Sequence, residues 1–118
     1  MISAKKLATT GFTLGVIALI WHSLVMMVYD VVGWMHVYPN IQLIAAVDYI
    51  SAGIILLLVF VGAFIGLIVL MRAPKEKPGV VFIAMALGSI AIAFIELLSN
   101  GLYLFSFTIQ ALLFLHII

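Results

Sequence analysis

Two stretches of this chain, Leu7–Val28 and Ile50–Met71, run without an Asp, Glu, Lys or Arg. A helix needs about 20 apolar residues to cross a hydrocarbon core of about 30 Å, and both stretches meet that length. Two further apolar runs follow. Val80–Leu98 holds one carboxylate, Glu96, near its end, and Leu102–Ile118 lies at the short limit, where a re-entrant or interfacial helix is the alternative to a fourth span. In hydrocarbon the backbone must bond to itself, so such runs fold as helices and not as open strands. Composition agrees: 68% of the 118 residues are hydrophobic, 8% are charged, and mean hydropathy is +1.46. A soluble domain is about half apolar and about a quarter charged, and a chain this short could not hide so much apolar surface from water. A soluble globular fold, a disordered chain and a nucleic-acid binder are thereby excluded. The expected fold is all-α: one integral membrane four-helix bundle over residues 1–118, with spans near 7–28, 50–71, 80–98 and 102–118.

The connections carry the topology. Residues 72–79, Arg-Ala-Pro-Lys-Glu-Lys-Pro-Gly, form a charged loop suited to a sharp return. Ser99-Asn100-Gly101 reads as a tight turn, since Asn and Gly accept positive φ. Residues 29–49 are mixed, and Gly33, Pro39 and Asn40 suggest a bent interfacial segment, with a helix free to start near Asn40. All five basic residues (Lys5, Lys6, Arg72, Lys75, Lys77) precede the first span or lie in the loop at 72–79. Basic residues favour the cytoplasmic side, so both termini and this loop are expected in the cytoplasm of a cell-membrane protein. Asp30, Asp48 and Glu96 then fall on the outer side. Tyr29, Trp34, Tyr38, Tyr49 and Tyr103 gather there as a one-sided aromatic belt. The basic start before Leu7 resembles a signal peptide, but its apolar run exceeds the usual 7–15 residues and is expected to remain as the first span.

Small residues recur at helical spacing. Gly11 and Gly15, Gly62 and Gly66, and Ala84 and Gly88 each lie one turn apart, which lets helix backbones approach closely. The surfaces they make serve packing inside the bundle or contact with a second copy or partner. Thr13–Ile20 (TLGVIALI) also echoes Ala86–Ala93 (ALGSIAIA), as two parallel helical hairpins would; the plainer reading is that these residue types recur in any membrane helix. The segments GFTLGVIALI, GAFIGLIVLMRAPKEKPG and VVFIAMALGSIAI together resemble small bacterial four-span families of unknown function. That resemblance implies a Gly-rich first helix, a basic cytoplasmic loop and a second Gly-rich helix, and it transfers no functional residue. Small multidrug transporters share the length and span number, but their glutamate sits in the middle of the first helix, where this chain has no acid.

An ionisable side chain at the bilayer centre costs about 2.5–3.5 kcal/mol and marks a candidate site. By a rise of about 1.5 Å per residue, Glu96 sits about 5 Å and His22 about 9 Å below the outer boundary. Gln110 sits about 12 Å down the fourth span, on one face with Tyr103 and Ser106. The sharp expectation is an outward polar pocket with Glu96 and His22 as its ionisable pair, Gln110 as its floor, and Asp48 and Tyr49 at its rim. The bland alternative has Glu96 reaching water and His22 bonded to a nearby carbonyl. Tyr29, Trp34, His36 and Tyr38 are the expected interfacial or partner contacts.

No cofactor or metal is expected. The chain has no cysteine. His22 and His116 lie at opposite ends of the spans, His36 lies in a connection, and no HxxxH spacing occurs. No nucleophile elbow, phosphate loop, zinc-protease motif or dinucleotide fingerprint is present. The expected function is therefore non-enzymatic. The preferred form is a polytopic protein acting by helix–helix association in the lipid bilayer, as an accessory subunit, assembly or immunity-type factor, with a membrane-protein partner or a second copy. The alternative is an oligomeric transporter or channel for a small molecule or cation, using Glu96 and His22.

Overall fold

The computed structural model of the chain describes residues 2–34 and 41–117. Its elements are α1 (Ala4–Trp34), α2 (Ile41–Glu76), α3 (Val80–Glu96), a π-helical segment (Leu97–Gly101) and α4 (Leu102–Ile117). Three helices are long and apolar enough to cross a membrane: Ala4–Val28, Ala46–Glu76, and Val80–His116, which runs through α3, the π-helical segment and α4. Large side chains cover the outside of these helices. Phe64 is 65% exposed, Met71 79% and Val80 83%, a surface suited to lipid tails and not to water.

The helices outrun the expected spans. α1 continues to Trp34 and α2 begins at Ile41, so of the expected interfacial segment only residues 35–40 lie outside the described residues. Gly33 does not stop α1, since one glycine costs a helix only about 1 kcal/mol. At the other end α2 runs on to Glu76, with Pro74 inside it, and the reversal shortens to Lys77-Pro78-Gly79. Lys77 and Gly79 supply it with positive φ, 48° and 106°. The charged residues here also hold the start of α1. Arg72 pairs with Glu76 one turn on, and its guanidinium donates to the Ile2 carbonyl at 2.8 Å. Glu76 Oε1 accepts from the Ala4 amide at 3.4 Å, placing a carboxylate at a helix N-terminus, where the dipole favours it.

The reading of Ser99-Asn100-Gly101 as a tight turn is corrected. The chain does not reverse there: Leu102 has φ −66° and ψ −39°, and the helix goes on as α4. The polar side chains turn back along the helix instead of capping its end. Ser99 Oγ donates to the Ile95 carbonyl at 3.2 Å, and the Asn100 amide donates to the Glu96 carboxyl. What packs together is thus a bundle of α1, α2 and α3, with α4 touching little besides the π-helical segment.

Small residues set the spacing of that bundle. A Cβ on Gly11 would stand 2.9 Å from the Gly62 carbonyl oxygen, and one on Gly62 would stand 2.8 Å from that of Gly11. The two backbones therefore touch, and any side chain at either position would push α1 from α2. A Cβ on Gly66 would meet the Ala86 carbonyl at 2.7 Å, which fixes the α2–α3 crossing in the same way. Gly15 faces Ile92 and Gly88 faces Phe12, so both lie between α1 and α3. Ala84 is exposed, which corrects its expected pairing with Gly88. The packed face of α3 repeats through Ala86, Ser89, Ala93 and Glu96, at spacings of three and four, and Ala84 falls off it. Around these crossings Ala18, Ile55, Val59, Ile92 and Ala93 form one apolar cluster, and Ala4, Ala8, Val69 and Ala86 form another.

Candidate functional site: a buried carboxylate between α1 and α3

α1 and α3 each run antiparallel to α2, so they run parallel to one another. That brings His22 on α1 level with Glu96, the last residue of α3. His22 Nδ1 lies 2.9 Å from Oε1 and 3.0 Å from Oε2 of Glu96. The Glu96 side chain is 1% exposed and that of His22 26%. Asn100, one turn beyond Glu96, donates from Nδ2 to Oε2 at 2.5 Å. With Nδ1 carrying its proton, the carboxylate receives one donor shared between its oxygens and a second on Oε2. A carboxylate withdrawn from water needs such partners, because desolvation otherwise costs several kcal/mol.

The local backbone serves this cluster. An extra residue per turn in the π-helical segment shifts Asn100 relative to α-helical register, and π-helical turns are frequent at functional sites. Ser99 Oγ lies 3.2 Å from the Ile95 carbonyl and 3.4 Å from that of Glu96, bridging the widened turn.

A cavity of about 240 Å³ adjoins the cluster, and among the described residues its polar lining is His22, Asp48, Ser51, Ser99 and Asn100. The structure thus brings His22, Glu96 and Asp48 to one place. Tyr49 neighbours Asp48 on α2 but is 42% exposed and outside the cavity lining. Gln110 does not form a floor, which corrects that expectation. Because the helix continues past Ser99 without folding back, Gln110 travels about 20 Å beyond Glu96, at about 1.5 Å per residue. It is exposed on α4, and its side chain makes no hydrogen bond among the described residues. Tyr29 and Trp34 belong to the last turns of α1, while His36 and Tyr38 lie outside the described residues. Among the described residues no three His, Asp or Glu side chains converge as metal ligands would.

Three members of the site escaped sequence reasoning. Ser99 and Asn100 were absorbed into a supposed turn, and Ser51 was one serine among many in an apolar run. The spacing of Glu96 and Asn100, four apart, was the available signal, since such pairs meet on a helix. Comparison with protein-family models, curated proteins and solved structures gave no match. Fold and site alone therefore define the class: an all-α protein with three membrane-length helices and a carboxylate–imidazole–amide cluster buried between two of them.

Proposed function

We propose that this chain is a non-enzymatic, multi-pass protein of the cell membrane that binds a small cation in the cavity beside the Glu96–His22 pair and carries it across as an oligomeric transporter. One observation carries the reading: a carboxylate that is 1% exposed, held by His22 and Asn100, stands beside a polar cavity at membrane depth. Intramembrane carboxylates are costly, pair with partners and mark ion pathways. The cations at Lys5, Lys6, Arg72, Lys75 and Lys77 support a cytoplasmic N-terminus and a cytoplasmic α2–α3 connection, with the cavity toward the outer side.

The apolar helix Val80–His116 has 37 residues, about 55 Å at about 1.5 Å per residue, well beyond a core of about 30 Å. The test of function uses proteoliposomes loaded with a pH-sensitive dye and given inward gradients of sodium, potassium or n-butylammonium chloride. Wild type moves the dye signal with at least one cation and Glu96→Gln does not. Equal traces from both proteins, or none from wild type, reject transport through this site.

A second reading, an accessory or assembly subunit acting by helix association, is favoured by α4 itself. Gln110 stands exposed in an otherwise apolar stretch, and an amide in lipid favours an interhelical hydrogen bond worth about 1 kcal/mol. Gentle detergent extraction from native membranes then recovers a stoichiometric partner or a second copy. A monodisperse monomer at native expression rejects that reading.

A further inference from the structure

Three helical hydroxyls, Thr13, Ser51 and Ser106, make no hydrogen bond among the described residues, and of these Thr13 and Ser106 are exposed while Ser51 is buried. Thr9, Thr10, Ser23, Ser89, Ser99 and Thr108 each donate to the carbonyl one turn back, the usual resort of a hydroxyl inside a helix. Ser51 is only 6% exposed, lines the cavity, and makes no hydrogen bond among the described residues. No fully buried side-chain nitrogen or oxygen among the described residues lacks a partner, so the Ser51 hydroxyl is not sealed off but open to whatever fills the cavity.

The rest of the lining states what that ligand is. Asp48 contributes a carboxylate, Glu96 stands directly behind His22 and Asn100, and no Lys or Arg lines the space. The field therefore favours a cation. The Asn100 amino group is committed to Glu96, which leaves its carbonyl oxygen as an acceptor. Among the described residues the remaining wall is apolar (Val25, Met26, Ala52 and Ile55), and none of those lining residues is an aromatic ring that would cage a quaternary ammonium. Calcium and magnesium ask for six or more oxygens, and a transition metal for three or more converging His, Asp or Glu side chains, neither of which the described lining supplies. A primary ammonium has three N–H donors and no acceptor, matching a set of separated oxygens. At about 240 Å³ the space falls below the roughly 300–1,000 Å³ of pockets for drug-sized ligands, so the ligand is small.

We propose that the cavity between α1, α2 and the π-helical segment binds a small primary alkylammonium ion. Its head bonds Asp48, Ser51 and the Asn100 carbonyl, and its alkyl chain lies on Val25, Met26 and Ile55. This rests on the cation-site reading and names its substrate class.

The test is calorimetric titration of the full chain in lipid nanodiscs with n-butylammonium, tetramethylammonium and sodium chlorides. Butylammonium binds saturably, tetramethylammonium at least tenfold more weakly, and Ser51→Ala and Asp48→Asn each weaken butylammonium about tenfold or more. Ser51→Ala keeps the helix and its Cβ, so it reports binding even where Asp48→Asn disturbs folding. Equal affinity for tetramethylammonium and butylammonium, or unchanged butylammonium binding in Ser51→Ala, overturns the proposal. Binding of sodium alone overturns the alkylammonium assignment and leaves the cation site standing. No heat from any cation overturns both.

Discussion

Replacing His22 by Leu removes the imidazole from both Glu96 oxygens and leaves Asn100 as the only donor to a carboxyl group that is 1% exposed. Breaking a buried pair by deleting one partner costs about 3–5 kcal/mol. With 26% of the His22 side chain exposed, water already reaches part of the pair, so the lower end applies, about 3 kcal/mol. At about 1.4 kcal/mol per decade that is roughly a hundredfold in the unfolding equilibrium. The physical content lies in the second variant. In His22→Leu/Glu96→Met no charge is stranded, the Asn100 amide that loses its acceptor is half-buried and open to the cavity, and an apolar replacement of a buried pair is neutral or stabilising. The double variant is therefore more stable than His22→Leu alone. Reversible unfolding in mixed micelles, followed by far-ultraviolet circular dichroism, measures all three proteins. A single variant within about 0.5 kcal/mol of wild type, the usual range of inconsequential surface changes, refutes the argument. So does a double variant less stable than the single one.

Gly62→Ala pushes a methyl against the Gly11 carbonyl, where the Cβ position lies 2.8 Å away, and destabilises the bundle by about 1–3 kcal/mol in the same unfolding assay. Gly53→Ala meets nothing within 4 Å and stabilises by about 0.5–1 kcal/mol, a control on the same helix. Because the chain has no cysteine, Lys75→Cys can be labelled alone, and an impermeant maleimide reacts from the cytoplasmic side only, while Asn40→Cys reacts from outside. Gln110→Leu leaves the α1–α3 bundle intact by circular dichroism and lowers the recovery of any oligomer in gentle detergent.

The membrane-length helices were legible because a charge-free run of apolar residues has few other uses. The level of His22 with Glu96 was legible too, since the height of a residue on a helix follows from counting. Their contact was not, because it depends on how α1 and α3 rotate about their axes, and Gly15 against Ile92 and Gly88 against Phe12 set that rotation. The supposed turn at Ser99–Gly101 failed for a definable reason. Asn and Gly permit a reversal but do not compel one, and the Asn100 amide found a nearer partner in Glu96 within the helix. Losing that turn moved Gln110 away from the pocket. Ala84 failed by two residues, since a small-residue spacing does not reveal which face of a uniformly apolar helix turns inward.

The cation site proposed for this protein requires the His22 imidazole and the Glu96 carboxyl to touch inside the bilayer. Solid-state NMR on the protein in lipid bilayers, with 15N-labelled histidine and 13C-labelled glutamate, reads that contact directly. The structure predicts a strong dipolar correlation between the His22 Nδ1 and the Glu96 carboxyl carbon, consistent with 2.9 Å from nitrogen to oxygen, and its loss in Glu96→Gln with unlabelled glutamine. A histidine spectrum with no correlation to a glutamate carboxyl in wild type would contradict the site, its cavity and the function assigned to both.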